Sequence, residues 1–182
     1  MIHRIENFYK VNPIRKQLLK NAIDRDSMNH VKSLGCNFPI TNKSKFFKDL
    51  YEKCLIETKK LFGEYTLDSS NIDTIWCYRS NLIDYQCIWH NHINTSTINA
   101  VYYFQINKGD SISFKHNGII ERHELKENEL IIMPNYLIHK PNPTVGNKVR
   151  YSLNMEIKTK QSVHELFKDK DLFDQMFEVS AG

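Results

Sequence analysis

Seven short runs rich in β-branched and aromatic residues follow one another between positions 72 and 157, each bounded by turn-forming residues. They read IDTIWCYRS, YQCIWHNHI, INAVYYFQI, SISFKHN, IIERHEL, ELIIMP and VRYSLNMEI. Runs of this length and composition suit half-buried or fully buried strands. The punctuation is Asn107-Lys108-Gly109-Asp110, Asn117-Gly118 and Pro141-Asn142-Pro143. Asn117-Gly118 is the sharpest of these, because a type I′ hairpin needs positive φ at both central residues. No helical pattern alternates with the strands, which argues against a βαβ fold and for a sandwich or jelly roll.

Helical periodicity is confined to the flanks. From Ser44 onward Phe47, Leu50, Tyr51, Cys54, Leu55, Leu61 and Phe62 recur at three- and four-residue spacing until Gly63 closes the run. A shorter helix is expected over IRKQLLKNAI, with a loop through SLGCNFPITN. Ser162 and Glu165 have capping-box spacing ahead of Val163, Leu166 and Phe167, and Leu172, Phe173, Met176 and Phe177 continue that apolar face. A chain of 182 residues suits one domain. The expected division is helical support over 1–70, a β core over 72–158 and a helical segment over 160–182.

Several function classes are disfavoured by composition. The net charge of +4 is small, and Lys and Arg mostly stand beside Asp and Glu, so a nucleic-acid partner is not expected. Cys36, Cys54, Cys77 and Cys87 form no CxxC pair, which argues against a zinc ribbon or a thioredoxin-type site. The opening MIHRIENFYK has no apolar h-region, and no stretch approaches 18 apolar residues. A cytoplasmic protein with reduced thiols is the expectation. The abundance of Asn, Lys and Ile points to an AT-rich genome, such as that of a phage or bacterium.

The residues that carry chemistry lie in and between the predicted strands. In WHNHIN, His90 and His92 stand two apart, so on a strand both side chains face one way. Facing a barrel interior, their imidazoles could share one cation. His139, beyond the apolar strand and next to Lys140-Pro141, could be turned back as a third ligand. Three neutral imidazoles on one side of a metal leave its other positions open, as catalysis requires. Eleven residues on, Arg150 and Ser152 again share a face. A guanidinium beside a hydroxyl suits two-pronged capture of a carboxylate, whereas a buried Arg with no anion is costly. A surface pair of Arg150 with Glu121 or Glu129 is the plainer alternative. Trp76 and Trp89 read as packing residues.

In their order and spacing these motifs resemble the iron(II)- and 2-oxoglutarate-dependent dioxygenases. Their pattern is His-x-Asp, a distal His, then Arg-x-Ser near the end of a double-stranded β-helix. The matching residues are His90-Asn91-His92, His139 and Arg150-Tyr151-Ser152, and the resemblance covers about residues 75 to 156. AVYYFQI resembles a strand of prolyl-hydroxylase-like members, and ELIIMPNYLIHKPNP a stretch of small phage and bacterial members. The resemblance implies a mainly β, cupin-like jelly roll with Fe(II) on His90, His92 and His139. It also implies 2-oxoglutarate held by Arg150, Ser152 and Tyr103, and hydroxylation by O2 with release of succinate and CO2. One position departs from the pattern: His92 stands where the family usually has Asp or Glu, which removes one negative charge from the metal site. Two other functions fit the same residues. One is a three-histidine cupin-like metalloenzyme, with iron or zinc, that works without 2-oxoglutarate and holds its substrate's carboxylate on Arg150. The other is a non-catalytic β-sandwich module.

Overall fold

A computed structural model describes residues 2–30, 37–40, 44–80 and 88–168. Its elements in chain order are β1 (His3–Ile5), α1 (Pro13–His30), β2 (Asn37–Pro39), α2 (Lys45–Phe62), β3 (Ile75–Ser80), β4 (Ile98–Gln105), β5 (Ser111–His116), β6 (Ile119–Glu124), β7 (Leu130–Pro134), β8 (Ile138–Pro141), β9 (Arg150–Ile157) and α3 (Val163–Phe167). The strands form a six-stranded sheet, β1-β7-β4-β9-β3-β2, and a three-stranded sheet, β6-β5-β8. Every strand pair in both is antiparallel. The fold is a mainly β double-stranded β-helix with flanking helices.

The large sheet is apolar on both faces, and strict alternation sorts its side chains between two cores. Ile98, Ala100, Tyr102 and Phe104 of β4, Leu130 and Ile132 of β7, and Tyr151, Leu153, Met155 and Ile157 of β9 join one cluster with residues of α1 and α2. The intervening Val101, Tyr103, Ile131 and Met133 face the small sheet, where they meet Ile112, Phe114, Leu125 and Leu137. The polar residues of β9 at positions 150, 152, 154 and 156 share this second face by the same alternation. A cavity lies between the sheets, and the helices back the large sheet from outside.

Local chemistry sets the element ends. Asn117 (φ 49°) and Gly118 (φ 72°) both take positive φ between β5 and β6, as the hairpin requires. Ser44 and Gly63 bound α2, whose buried face is Phe46, Phe47, Leu50, Tyr51, Cys54 and Thr58. Leu61, expected on that face, is exposed. The capping box forms at α3, with Ser162 and Glu165 each accepting the other's backbone N–H. Leu172, Phe173, Met176 and Phe177 lie outside the described residues, as do Cys36 and Cys87.

Four expectations need correction. Helix α1 runs well past the expected ten residues, because its contacts rather than its periodicity hold it: Leu19, Ala22 and Ile23 are buried while Ile14 and Leu18 are exposed. The N-terminal part is not purely helical, since β1 and β2 form the two edges of the large sheet. Strand β8 also went unpredicted; four residues before a proline-rich turn carry too little pattern. The run YQCIWHNHI is not a strand over its described part. Residues 88 to 97 form turns and one isolated bridge, His90 to His139.

Ahead of β9, Asp110 accepts hydrogen bonds from the Asn107 and Val145 backbone N–H groups and from Thr144 Oγ1. Asn107 in turn donates to Thr144 Oγ1 and to the Lys148 carbonyl. This buried network ties the β4–β5 turn to the segment that delivers Arg150. Among the described residues, no helix is long and apolar enough to cross a membrane.

Cys54 and Cys77 are free and fully buried, and burial pushes both thiols far above the ordinary range. Iodoacetamide is therefore expected to leave both unmodified in the native protein and to label both after denaturation, as mapped by peptide mass spectrometry. Native-state labelling of either would contradict this packing.

Candidate metal centre

The structure brings His90, His92 and His139 together at one end of the space between the sheets. One ring nitrogen from each lies within 4.8 Å of the others. Ring centroids are 4.4 Å apart for His90 and His139, and 5.3 Å apart for the other two pairs. His139 sits on β8. Its N–H and C=O exchange backbone hydrogen bonds with His90 at 2.9 and 3.0 Å, so the bridge continues the small sheet by one residue pair. His92 is fixed separately. Its N–H donates to the Asn135 carbonyl at 2.7 Å, and its own carbonyl accepts from the Thr95 and Ser96 N–H groups. The sequence argument placed both histidines on one strand face, whereas a turn brings His92 beside its partners.

Hydrogen bonds set the chemistry of the rings. His90 Nδ1 lies 2.9 Å from the Ile88 carbonyl, and His139 Nδ1 lies 2.9 Å from the Leu137 carbonyl. A carbonyl can only accept, so both Nδ1 atoms carry the proton and both lone pairs sit on Nε2. His92 Nδ1 lies 2.8 Å from Glu156 Oε1, and towards a carboxylate this nitrogen carries a proton. Burial, reinforced by the neighbouring His90 and His92, pulls the His139 pKa down to about 3. Burial also lowers that of His90. Clustered imidazoles, each oriented through a hydrogen bond at its other ring nitrogen, are the arrangement that metal-binding histidines adopt.

A cavity of about 60 Å³ opens beside the rings, several times the space that one water needs. Besides the histidines its wall includes Tyr78, Asn99, Val101, Tyr103, Ser152 and Asn154. Tyr103 and Ser152 are cross-strand partners and both are buried. Arg150, wholly buried, lies next to this wall with its guanidinium carbon 6.0 Å from the centre of the Tyr78 ring. Its Nη1 donates to the Asn142 carbonyl at 2.7 Å, while Nε and Nη2 have no partner among the described residues. The carboxylates weighed as partners are engaged elsewhere: Glu129 with Arg4 at 2.5 Å, and Glu121 with His123 at 3.4 Å.

Among the described residues other buried polar atoms around the cavity also lack partners: both side-chain polar atoms of Asn99, Ser152 Oγ and Asn154 Oδ1. Native proteins rarely leave such groups unsatisfied, so water or a polar ligand in the cavity would complete them. Sequence reasoning missed Asn99, Asn154, Tyr78 and Glu156. Asn154 and Glu156 could have been found by extending the Arg150-x-Ser152 parity along β9. Asn99 shares parity with Tyr103 and is the polar interruption of an otherwise apolar run. Trp76, read as a packing residue, stands partly exposed, and Trp89 lies under Lys140, whose Nζ is 4.9 Å from the ring centre.

No protein-family model and no curated protein matches the sequence. Solved structures do. A prolyl 4-hydroxylase of Phytophthora capsici is similar with a TM-score of 0.63 and 11% identity, over 87% of this chain and 59% of that one. SnoK, a non-heme alpha-ketoglutarate-dependent carbocyclase from nogalamycin biosynthesis, is similar with a TM-score of 0.64 and 7% identity, over 86% and 80%. A Pseudomonas putida prolyl 4-hydroxylase gives 0.58 and 12%, over 88% and 93%. At these identities the likeness is one of fold.

Proposed function

We propose that the chain is an Fe(II)- and 2-oxoglutarate-dependent dioxygenase that hydroxylates a protein side chain or a small metabolite. The observation that carries this reading is an adjacency: three imidazoles clustered at one cavity and, beside its wall, a buried guanidinium with two donors that no described residue uses. The similar folds are those of enzymes described as prolyl 4-hydroxylases and an alpha-ketoglutarate-dependent carbocyclase, which supports the same reading.

The residues fit both groups. His90, His92 and His139 would hold the cation through Nε2 and leave its remaining positions towards the cavity. Arg150, with Ser152 Oγ beside it, would hold the distal carboxylate of the cosubstrate, and Tyr103 stands opposite Ser152 on the neighbouring strand. When bound, iron with 2-oxoglutarate and O2 supplies an oxidant able to hydroxylate a C–H bond, with succinate and CO2 released. The chain's own work is positioning and shielding. Val101, Ile112 and Pro141 give the cavity apolar walls that limit water, and Asn99 offers an amide donor and acceptor from a fully buried position.

The test is anaerobic. Fe(II) and then 2-oxoglutarate are added to metal-free protein and the visible spectrum is recorded. A weak charge-transfer band that requires both additions is the expected result. A tightly bound metal with no such band would favour a second reading, prompted by the absence of a carboxylate among the three clustered side chains. In that reading a three-histidine metalloenzyme acts without 2-oxoglutarate, and Arg150 grips the substrate's own carboxylate.

A further inference from the structure

The three clustered histidines would bring a cation no negative charge, and Glu156 lies one imidazole away from them. We propose that Glu156 is a positioning residue of the metal centre, orienting His92 and lending the site the charge that its three ligands lack. The inference rests on the reading of His90, His92 and His139 as metal ligands.

Three observations support it. Glu156 Oε1 stands 2.8 Å from His92 Nδ1, and the side chains are only 21% and 12% exposed, so the contact is shielded on both sides. Both partners have fixed backbones: β9 carries Glu156 opposite Asn99 of β4, while hydrogen bonds from and to the backbone clamp His92. The three histidines also differ in their outer partners. His90 and His139 donate to neutral backbone carbonyls, and His92 alone donates to a carboxylate. Three neutral imidazoles around a dication leave two positive charges in a partly buried site. A carboxylate one imidazole away lowers that to one, the same net charge as a directly bound carboxylate gives. It also makes the His92 lone pair a better donor, as carboxylate–histidine–metal arrangements do.

Other roles for Glu156 predict other results. A mere surface ion pair would leave metal affinity unchanged. A carboxylate that swings in as a direct ligand would change the coordination sphere when removed.

The experiment is Co(II) titration of metal-free protein, read by the visible ligand-field bands and by competition with a chelator. Wild type, Glu156→Gln, Glu156→Asp and His92→Ala are compared, with circular dichroism to establish that each is folded. Glu156→Gln keeps a hydrogen-bond acceptor but no charge. Its Co(II) affinity is expected to fall roughly 10–100-fold, with band positions like those of wild type. Glu156→Asp should recover part of the loss, and His92→Ala should change the bands. Glu156→Gln affinity within twofold of wild type would overturn the charge role while leaving the metal centre intact. Glu156→Gln bands that match those of His92→Ala would overturn it in favour of direct ligation. Failure of wild type itself to bind Co(II) would instead overturn the metal reading on which the inference stands.

Discussion

His139→Ala is expected to abolish tight metal binding while the fold persists. The loss should exceed the roughly 10–100-fold that follows from disturbing an outer partner of a metal ligand, because an inner ligand is removed. The backbone explains why the fold survives: the hydrogen bonds between residues 139 and 90 need no side chain. The ring itself is buried against His90 and near Phe114, so its removal leaves a small void. A cost of about 1–3 kcal/mol is expected from that void. Calorimetric titration with Zn(II) and a thermal melt followed by circular dichroism measure the two effects. Stoichiometric binding of undiminished affinity would refute the assignment of His139.

The same substitution should alter the acid stability of the metal-free protein. His139 has a folded pKa of about 3 against 6.5 when unfolded, because burial and the facing His90 and His92 disfavour its charged form. Above pH 6.5 neither state binds the proton, and the group is neutral in its effect. As pH falls through 6.5 towards 3 the unfolded chain takes up a proton that the folded one refuses. Stability then declines by up to about 1.4 kcal/mol per pH unit from this group alone. His139→Ala should flatten the stability profile in that window, leaving the contribution of His90, whose pKa burial also lowers. An unchanged slope in urea melts between pH 6.5 and 4 would mean that His139 is not held neutral by its surroundings.

How far the sequence disclosed this site depended on how local each signal was. The shared face of Arg150 and Ser152 was legible, because strict alternation along one strand puts both on the side opposite the core residues of β9. The hairpin at Asn117-Gly118 was legible for the same reason: two consecutive positive φ angles have few other sequence solutions. His90 and His92 were found by reasoning that did not describe their backbone, since a turn does what an alternating strand was expected to do. Parity along β9 puts Glu156 on the face of Arg150 and Ser152, but its contact with His92, 64 residues away, depends on where the turn at His92 is held, which no local pattern encodes. The N-terminal strands β1 and β2 escaped for a related reason. Three residues at a sheet edge carry no periodicity, and the neighbouring strand decides their state.

Arg150→Met is expected to move stability and ligand binding in opposite directions. The guanidinium is wholly buried and, among the described residues, makes one hydrogen bond, to the Asn142 carbonyl, while Nε and Nη2 make none. The Tyr78 ring alongside offsets only part of the desolvation of a buried cation. Replacing incompletely paired buried charge by an apolar side chain of similar length is commonly neutral or stabilising, by up to about 4 kcal/mol. For a chain of this size each kcal/mol corresponds to roughly 2–4 °C in Tm. Ligand-free Arg150→Met should thus melt no lower than wild type, and several degrees higher if most of the strain is relieved. Binding should show the reverse. Wild-type protein with metal and 2-oxoglutarate at 100 times its Kd gains about 2.7 kcal/mol, read as a higher Tm. Removing a buried partner of a carboxylate costs about 2–5 kcal/mol, so this gain should vanish in Arg150→Met. Arg150→Lys, which keeps the charge and loses the planar fork, should fall between the two. Lower ligand-free stability of Arg150→Met would mark the guanidinium as a satisfied structural group. Undiminished 2-oxoglutarate binding would place the carboxylate elsewhere. Raised stability with lost binding would show that this strand holds an unfavourable charge because an anion completes it.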